Sequence, residues 1–270
     1  MNLSFKMKRQ YYNGNCFKYF FKNPKFKTIV FIHGLGLNQD VWSWQVSLFK
    51  NHNILIYDLL GHGDSKDPQG EISLSMFSDQ LLQIINHIKL EKFILVGFSL
   101  GSMISRKFAS VYPSMVEALV LLNSPNRLLD QERDEILERA KLLKDEGPES
   151  TTDSAIKRWF SIPFQKGNPH IIQLVRNWVN NNKKEIYSKI YPILYYGSID
   201  LKSLHESKPT LLITCDQDFA NGPNAVKEIA KNFKNSHVCI LQNLRHMALV
   251  EDYRTVFVKI DEFLISSNLH

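Results

Sequence analysis

Ten consecutive residues, Phe93-Ile94-Leu95-Val96-Gly97-Phe98-Ser99-Leu100-Gly101-Ser102, constrain this chain more than any other stretch. They read as a short apolar strand, a sharp turn carrying a serine, and the first turn of a helix. Glycine occupies both second neighbours of the serine, and a third small residue, Ser102, follows. The spacing has a steric reason. A serine raised on a tight strand-to-helix turn brings backbones too close together for bulky Cβ substituents beside it. The same turn lifts the hydroxyl above the sheet at the positive end of the new helix, where an attacking oxygen is useful. The pattern therefore predicts a nucleophilic serine at position 99. The bland alternative is a serine that only closes a strand-to-helix turn.

The stretches around it repeat one theme. Residues 27–33 form a continuous β-branched and aromatic run, the pattern of a buried strand, and lead into His33-Gly34-Leu35-Gly36. Residues 53–59 do the same and lead into Gly61-His62-Gly63-Asp64-Ser65. Ser75 is placed to cap a helix whose Phe77, Leu81, Ile84, Ile85 and Ile88 share a face. The helix after Ser99 should end at Pro113, and residues 117–123 form another apolar strand. Before residue 28, loosely alternating aromatic and polar residues suit two edge strands joined near Asn13-Gly14. Strands alternating with helices predict a mostly parallel sheet covered on both faces, with its site beyond the strands' carboxyl ends. All three glycine-rich turns fall at that edge. For His33 a structural role bonded to loop backbone is preferred to a catalytic one, and Leu35 matters for its amide.

From residue 125 to 207 the character changes. Strand-like runs vanish, and residues 130–145, 153–160, 170–181 and 184–195 read as helices. This divides the chain into a first core part (1–124), a helical lid (125–207) and a second core part (208–270). Arg158-Trp159-Phe160 and the set Tyr187, Tyr191, Tyr195 and Tyr196 either line a pocket or fasten the lid to the core. The sheet pattern resumes at residues 209–215, before Asp216-Gln217-Asp218. A helix over 222–234, a strand over 238–241, the loop Asn243-Leu244-Arg245-His246-Met247 and a helix over 252–265 complete the chain.

Composition narrows the function. With 270 residues, 44% hydrophobic and 22% charged, the chain can bury a large core. Its net charge of +6 comes from scattered residues, with no basic block, so a nucleic-acid partner is not expected. No apolar run approaches bilayer length and no apolar stretch follows the basic N-terminal residues, so a cytoplasmic protein without membrane partners is expected. Cys16, Cys215 and Cys239 stand in no metal-ligand spacing and read as thiols in a reducing compartment. No cofactor or metal is expected.

A serine hydroxyl needs a base, and the base needs an orienting partner. Among nine histidines, His52, His87, His170, His205, His237 and His270 fall on helices, strand starts or the terminus, whereas His246 follows a strand at the edge holding Ser99. Asp218 and Asp216 both follow a strand at that edge and compete as the acid.

With these residues assembled, the chain resembles the α/β-hydrolase superfamily over nearly its whole length. The resemblance is carried by His33-Gly34-Leu35-Gly36, by Tyr57-Asp58-Leu59 with Gly61-His62-Gly63-Asp64-Ser65, by Gly97-Phe98-Ser99-Leu100-Gly101, by residues 209–218 and by Arg245-His246-Met247. Within the superfamily it looks most like lid-bearing esterases and lactonases that include 3-oxoadipate enol-lactonase. The resemblance implies an α/β-hydrolase fold in which Ser99 attacks, His246 is the base and Asp218 orients it. It also implies that the amides of Leu35 and Leu100 face the oxyanion, and that Gly34, Phe98, Trp159 and Phe160 meet substrate. Cys215 stands where the family commonly has glycine, and Asn123 where some relatives carry an alternative acid.

The expected activity is cofactor-free hydrolysis of a small or medium ester, lactone or thioester. Two enzymatic alternatives are C–C bond hydrolysis of diketones and hydrolysis of a methyl ester on acyl carrier protein. The latter would draw on a lid with eight basic residues (Lys157, Arg158, Lys166, Arg176, Lys183, Lys184, Lys189, Lys202) against Glu185 and Asp200 over 157–202. A small-molecule receptor on the same fold is the non-enzymatic alternative.

Overall fold

The structure is a computed structural model describing residues 8–201 and 207–269. Lys202, His205, His270 and the first seven residues lie outside these. Among the described residues eight strands form one sheet: β1 (Gln10–Tyr12), β2 (Asn15–Phe20), β3 (Thr28–Ile32), β4 (Asn53–Tyr57), β5 (Phe93–Phe98), β6 (Val116–Leu122), β7 (Thr210–Cys215) and β8 (Ser236–Leu241). Their order is β1-β2-β4-β3-β5-β6-β7-β8. The first two strands pair antiparallel with each other and with β4, and every other pairing is parallel. The edge hairpin turns on Asn13 and Gly14 with φ of 49° and 77°, the left-handed pair that matches strand twist.

Both faces of the central strands β3, β4, β5 and β7 are buried, and strand alternation sorts the side chains between them. Val30, Ile32, Leu55 and Tyr57 point into one apolar layer, Ile29, Phe31, Ile54 and Ile56 into the other. The first layer is completed by α2 (Leu74–Ile88), α3 (Leu100–Val111) and α10 (Pro223–Ala230), through residues such as Phe77, Ile104 and Val226. The second is completed by a 3₁₀ turn (Gln39–Trp42), α1 (Ser43–Val46), α11 (Ala248–Glu251) and α12 (Tyr253–Ser266). Helix α2 starts two residues earlier than a Ser75 cap would place it. The capping hydroxyl is Ser73, which accepts from the Met76 amide at 3.2 Å, and Ser75 lies inside the helix.

Between β6 and β7 the described chain runs through α4 (Asp130–Glu146), α5 (Glu149–Trp159), α6 (Ile162–Gly167), α7 (Pro169–Asn180), α8 (Lys184–Ile190) and α9 (Ile193–Leu201). The expected helix over 184–195 is two helices, because Pro192 has no amide hydrogen to continue the ladder. The expected helix at 153 begins at Glu149, directly after Pro148, and α6 is an addition opened by the Ser161 cap. Among the described residues no helix is long and apolar enough to cross a membrane.

Candidate active site

Ser99 joins β5 to α3 with φ 51° and ψ −116°, a conformation that side-chain-bearing residues seldom adopt. It makes no capping hydrogen bond to its helix, and its backbone is held by a bond from its amide to the Leu122 carbonyl at 2.8 Å. The flanking glycines are sterically obligatory. A Cβ on Gly97 would stand 2.3 Å from the Gly101 carbonyl oxygen, and one on Gly101 only 2.1 Å from that of Ile32. Gly101→Ala is accordingly expected to cost more than about 4 kcal/mol, because backbone and not a movable side chain opposes the methyl. Urea unfolding measures this, and an unchanged midpoint would contradict the strand–helix approach described.

Asp218 and His246 come together from loops after β7 and β8. His246 Nδ1 donates to Asp218 Oδ2 at 2.7 Å, which leaves Nε2 unprotonated on the neutral ring. Burial pushes the Asp218 carboxyl up. The His246 charge and hydrogen bonds from His246, Asn123 and Asn221 outweigh that and hold it at about 2. Asp216, the competing acid, is turned away and accepts from the Leu244 amide at 3.3 Å, shaping the histidine loop. Asn123, marked in the sequence only as standing where some relatives carry an alternative acid, is a direct partner of Asp218. Its Nδ2 donates to Asp218 Oδ2 at 2.8 Å from a left-handed backbone (φ 48°) at the end of β6. Cys215 is fully buried beneath this pair, and burial pushes its thiol up to about 12, so it adds no charge there.

The loop after β3 is clamped through its backbone. His33 Nδ1 donates to the Gly34 carbonyl at 2.8 Å, while Nε2 accepts from the Leu59 amide at 3.0 Å. His62 uses the same tautomer, donating to the Leu60 carbonyl and accepting from the Gly36 amide at 3.0 Å. Asn182, from the turn between α7 and α8, donates to the Gly36 carbonyl at 3.0 Å. Gly36, which follows Leu35, is thus held from both sides, its amide by the core and its carbonyl by the inserted helices. Asp58 secures the base of this assembly, accepting from the Gln39 and Asp64 amides.

Both histidines are fully buried. Burial drives His33 down to about 4, and burial with the neighbouring His33 drives His62 to about 3. Their unfolded counterparts bind protons near pH 6.5, so the unfolded state takes up more protons between these limits and stability falls as pH drops below 6.5. Each contributes a slope of up to about 1.4 kcal/mol per pH unit inside that window. Urea midpoints across pH 7 to 4.5 should show the decline, and His62→Gln should flatten it.

Ser99, Asp218 and His246 line one cavity. Leu35, Phe98 and Trp159 are on its wall, as are Tyr187 and Tyr191. The Phe98 ring lies 4.9 Å from that of His246 and the Trp159 ring 6.3 Å. Two expected contacts stand outside the wall. Phe160 is fully buried and stacks on Phe164 at 5.3 Å, its carbonyl instead accepting from Arg245 beside His246. Gly34 lies behind the wall, where a Cβ would come within 2.9 Å of the Phe98 ring and 3.2 Å of Ser99 Cβ. Leu100 is likewise buried, at the first position of α3, where an amide has no intrahelical acceptor. Tyr195 and Tyr196 do not reach the cavity wall. The basic residues of the inserted segment are dispersed: Arg176 pairs with Asp153, Lys183 with Asp67, and Arg158 faces the cavity.

Residues 27–145 match the family model described as the alpha/beta hydrolase fold. The chain is 25% identical over 243 residues to (E)-2-((N-methylformamido)methylene)succinate hydrolase of Acinetobacter baylyi, covering 87% of this chain and 89% of that protein. It is 22% identical to 3-oxoadipate enol-lactonase 2 of the same organism, over 70% of this chain and 71% of that one. The crystal structure of the enol-lactonase from Burkholderia xenovorans superimposes with a TM-score of 0.86 at 22% identity, over 96% of this chain and all of that one (100%). The strand topology and these likenesses show that the chain has the α/β-hydrolase fold.

Proposed function

We propose that this protein is a serine hydrolase that cleaves a small or medium carboxylic ester, lactone or thioester through an acyl-enzyme on Ser99. The observation that carries the reading is the 2.7 Å bond from His246 to a buried Asp218 on the wall that also holds the strained Ser99. Relatives named as a hydrolase and an enol-lactonase are consistent with it.

In this reading His246 Nε2 removes the Ser99 proton as Oγ attacks the substrate carbonyl. Asp218 stabilises the imidazolium and fixes its orientation. The amides of Leu35 and Leu100 donate to the oxyanion, at about 3–4 kcal/mol per donor as judged from a comparable enzyme. Collapse expels the alcohol, which takes the proton from His246. A water, deprotonated by the same nitrogen, then releases the acid and restores Ser99. The helices α4 to α9 act as a lid, with Asn182 tying lid and oxyanion loop together through Gly36.

A p-nitrophenyl ester series from acetyl to dodecanoyl, with intact mass after a fluorophosphonate probe, tests this. Turnover that varies with chain length and one probe adduct on Ser99 are expected. An adduct without ester turnover would redirect the reading to C–C bond or carrier-bound substrates. Neither adduct nor turnover would leave a ligand-binding protein on this fold.

A further inference from the structure

The cavity is electrically one-sided. Its acidic wall residue, Asp218, is engaged by His246 and Asn123, whereas Arg127, Arg139 and Arg158 also face the space. They arrive from three different elements: the segment after β6, helix α4 and helix α5. Arg127 is paired with Glu132 at 2.9 Å. Among the described residues, Arg139 and Arg158 have no carboxylate partner; Arg158 donates only to the Ser154 hydroxyl, at 3.2 Å. Partial burial, followed by the nearby Arg139 guanidinium, pulls Arg158 below its ordinary range. Two guanidiniums without carboxylate partners on a wall they share with Leu35, Trp159, Val179 and Leu194 are unfavourable until an anion joins them. Planar forked donors suit a carboxylate, which each can hold through two hydrogen bonds.

We propose that Arg139 and Arg158 form a carboxylate-recognition site, so that the substrate cleaved at Ser99 carries a second, free carboxylate, as in a half-ester of a dicarboxylic acid or a lactone acid. This rests on the serine-hydrolase reading of the same cavity. Arg139 and Arg158 select substrate and take no part in proton transfer.

The test compares mono-p-nitrophenyl glutarate with neutral p-nitrophenyl pentanoate, using wild type, Arg139→Gln, Arg158→Gln and Arg158→Lys. The ratio of kcat/KM values, anionic over neutral, should fall on the order of 10- to 100-fold in either glutamine variant. It should fall less in Arg158→Lys, which keeps charge but loses the fork. Lys166→Gln, exposed and off the cavity wall, should leave the ratio unchanged. An unchanged ratio in both glutamine variants would overturn the proposal. A second measurement is independent of turnover. Glutarate should raise the wild-type Tm, and the Arg139→Gln/Arg158→Gln double variant should lose that shift, while glutaramide should do nothing. Equal shifts from glutaramide or from inorganic phosphate would also overturn it. Absent turnover with a retained, arginine-dependent glutarate shift would refute the hydrolase reading while supporting the carboxylate site.

Discussion

Ser99→Ala is expected to lower esterase kcat by about a million-fold and leave Tm within about 2 °C of wild type. Activity depends on the hydroxyl, whereas the fold depends on the backbone of the turn. Alanine keeps the Cβ and meets the same left-handed backbone at φ 51°, so it adds no new strain. The amide bond to Leu122 and the close passage of α3 against β3 and β5 do not involve Oγ. The hydroxyl makes no capping bond, so removing it leaves no helix end unsatisfied. Circular dichroism and thermal melting monitor the fold, p-nitrophenyl butyrate the activity, and intact mass the loss of the fluorophosphonate adduct. Retained turnover would reduce Ser99 to a turn residue and end the acyl-enzyme reading.

Asp218→Asn should be the next most damaging change, at about 10⁴-fold in kcat. The amide can offer His246 a donor in place of an acceptor, which favours the tautomer with Nε2 protonated and unable to accept from Ser99. Asp216→Asn should lose less than about threefold, since a side-chain amide oxygen can still accept from Leu244. The reverse ranking would assign the acid to Asp216. Acid stability offers a second readout. The native carboxyl of Asp218 is held at about 2, below its ordinary 3.8. Its stabilisation is therefore complete above the ordinary carboxylate range and is lost as pH falls through that interval. Asp218→Asn should remove this part of the acid sensitivity and leave the decline below pH 6.5 caused by His33 and His62.

Local spacing determined a good deal of this protein. The glycines at 97 and 101 follow from backbone packing within one strand–turn–helix unit, and the continuous apolar runs at β3, β4, β5 and β7 follow from strands buried on both faces. The edge turn at Asn13-Gly14 was readable for the same reason, because the requirement for positive φ is local. Chain order together with a strand end directed attention to His246 among nine histidines.

Only the tertiary structure decided which side chains meet. Asn123 and Asp218 are 95 positions apart and Asn182 and Gly36 are 146 apart, so no sequence period links them. Asp216 and Asp218 both suit a loop after β7, and it is the orientation of that loop that gives His246 to Asp218. Phe160 and Trp159 are adjacent, yet one is in the core and the other on the cavity wall, because successive residues at a helix end diverge. The convergence of Arg139 and Arg158 depends on how α4 packs against α5 over the sheet edge, a matter of helix placement that amphipathic periodicity leaves open.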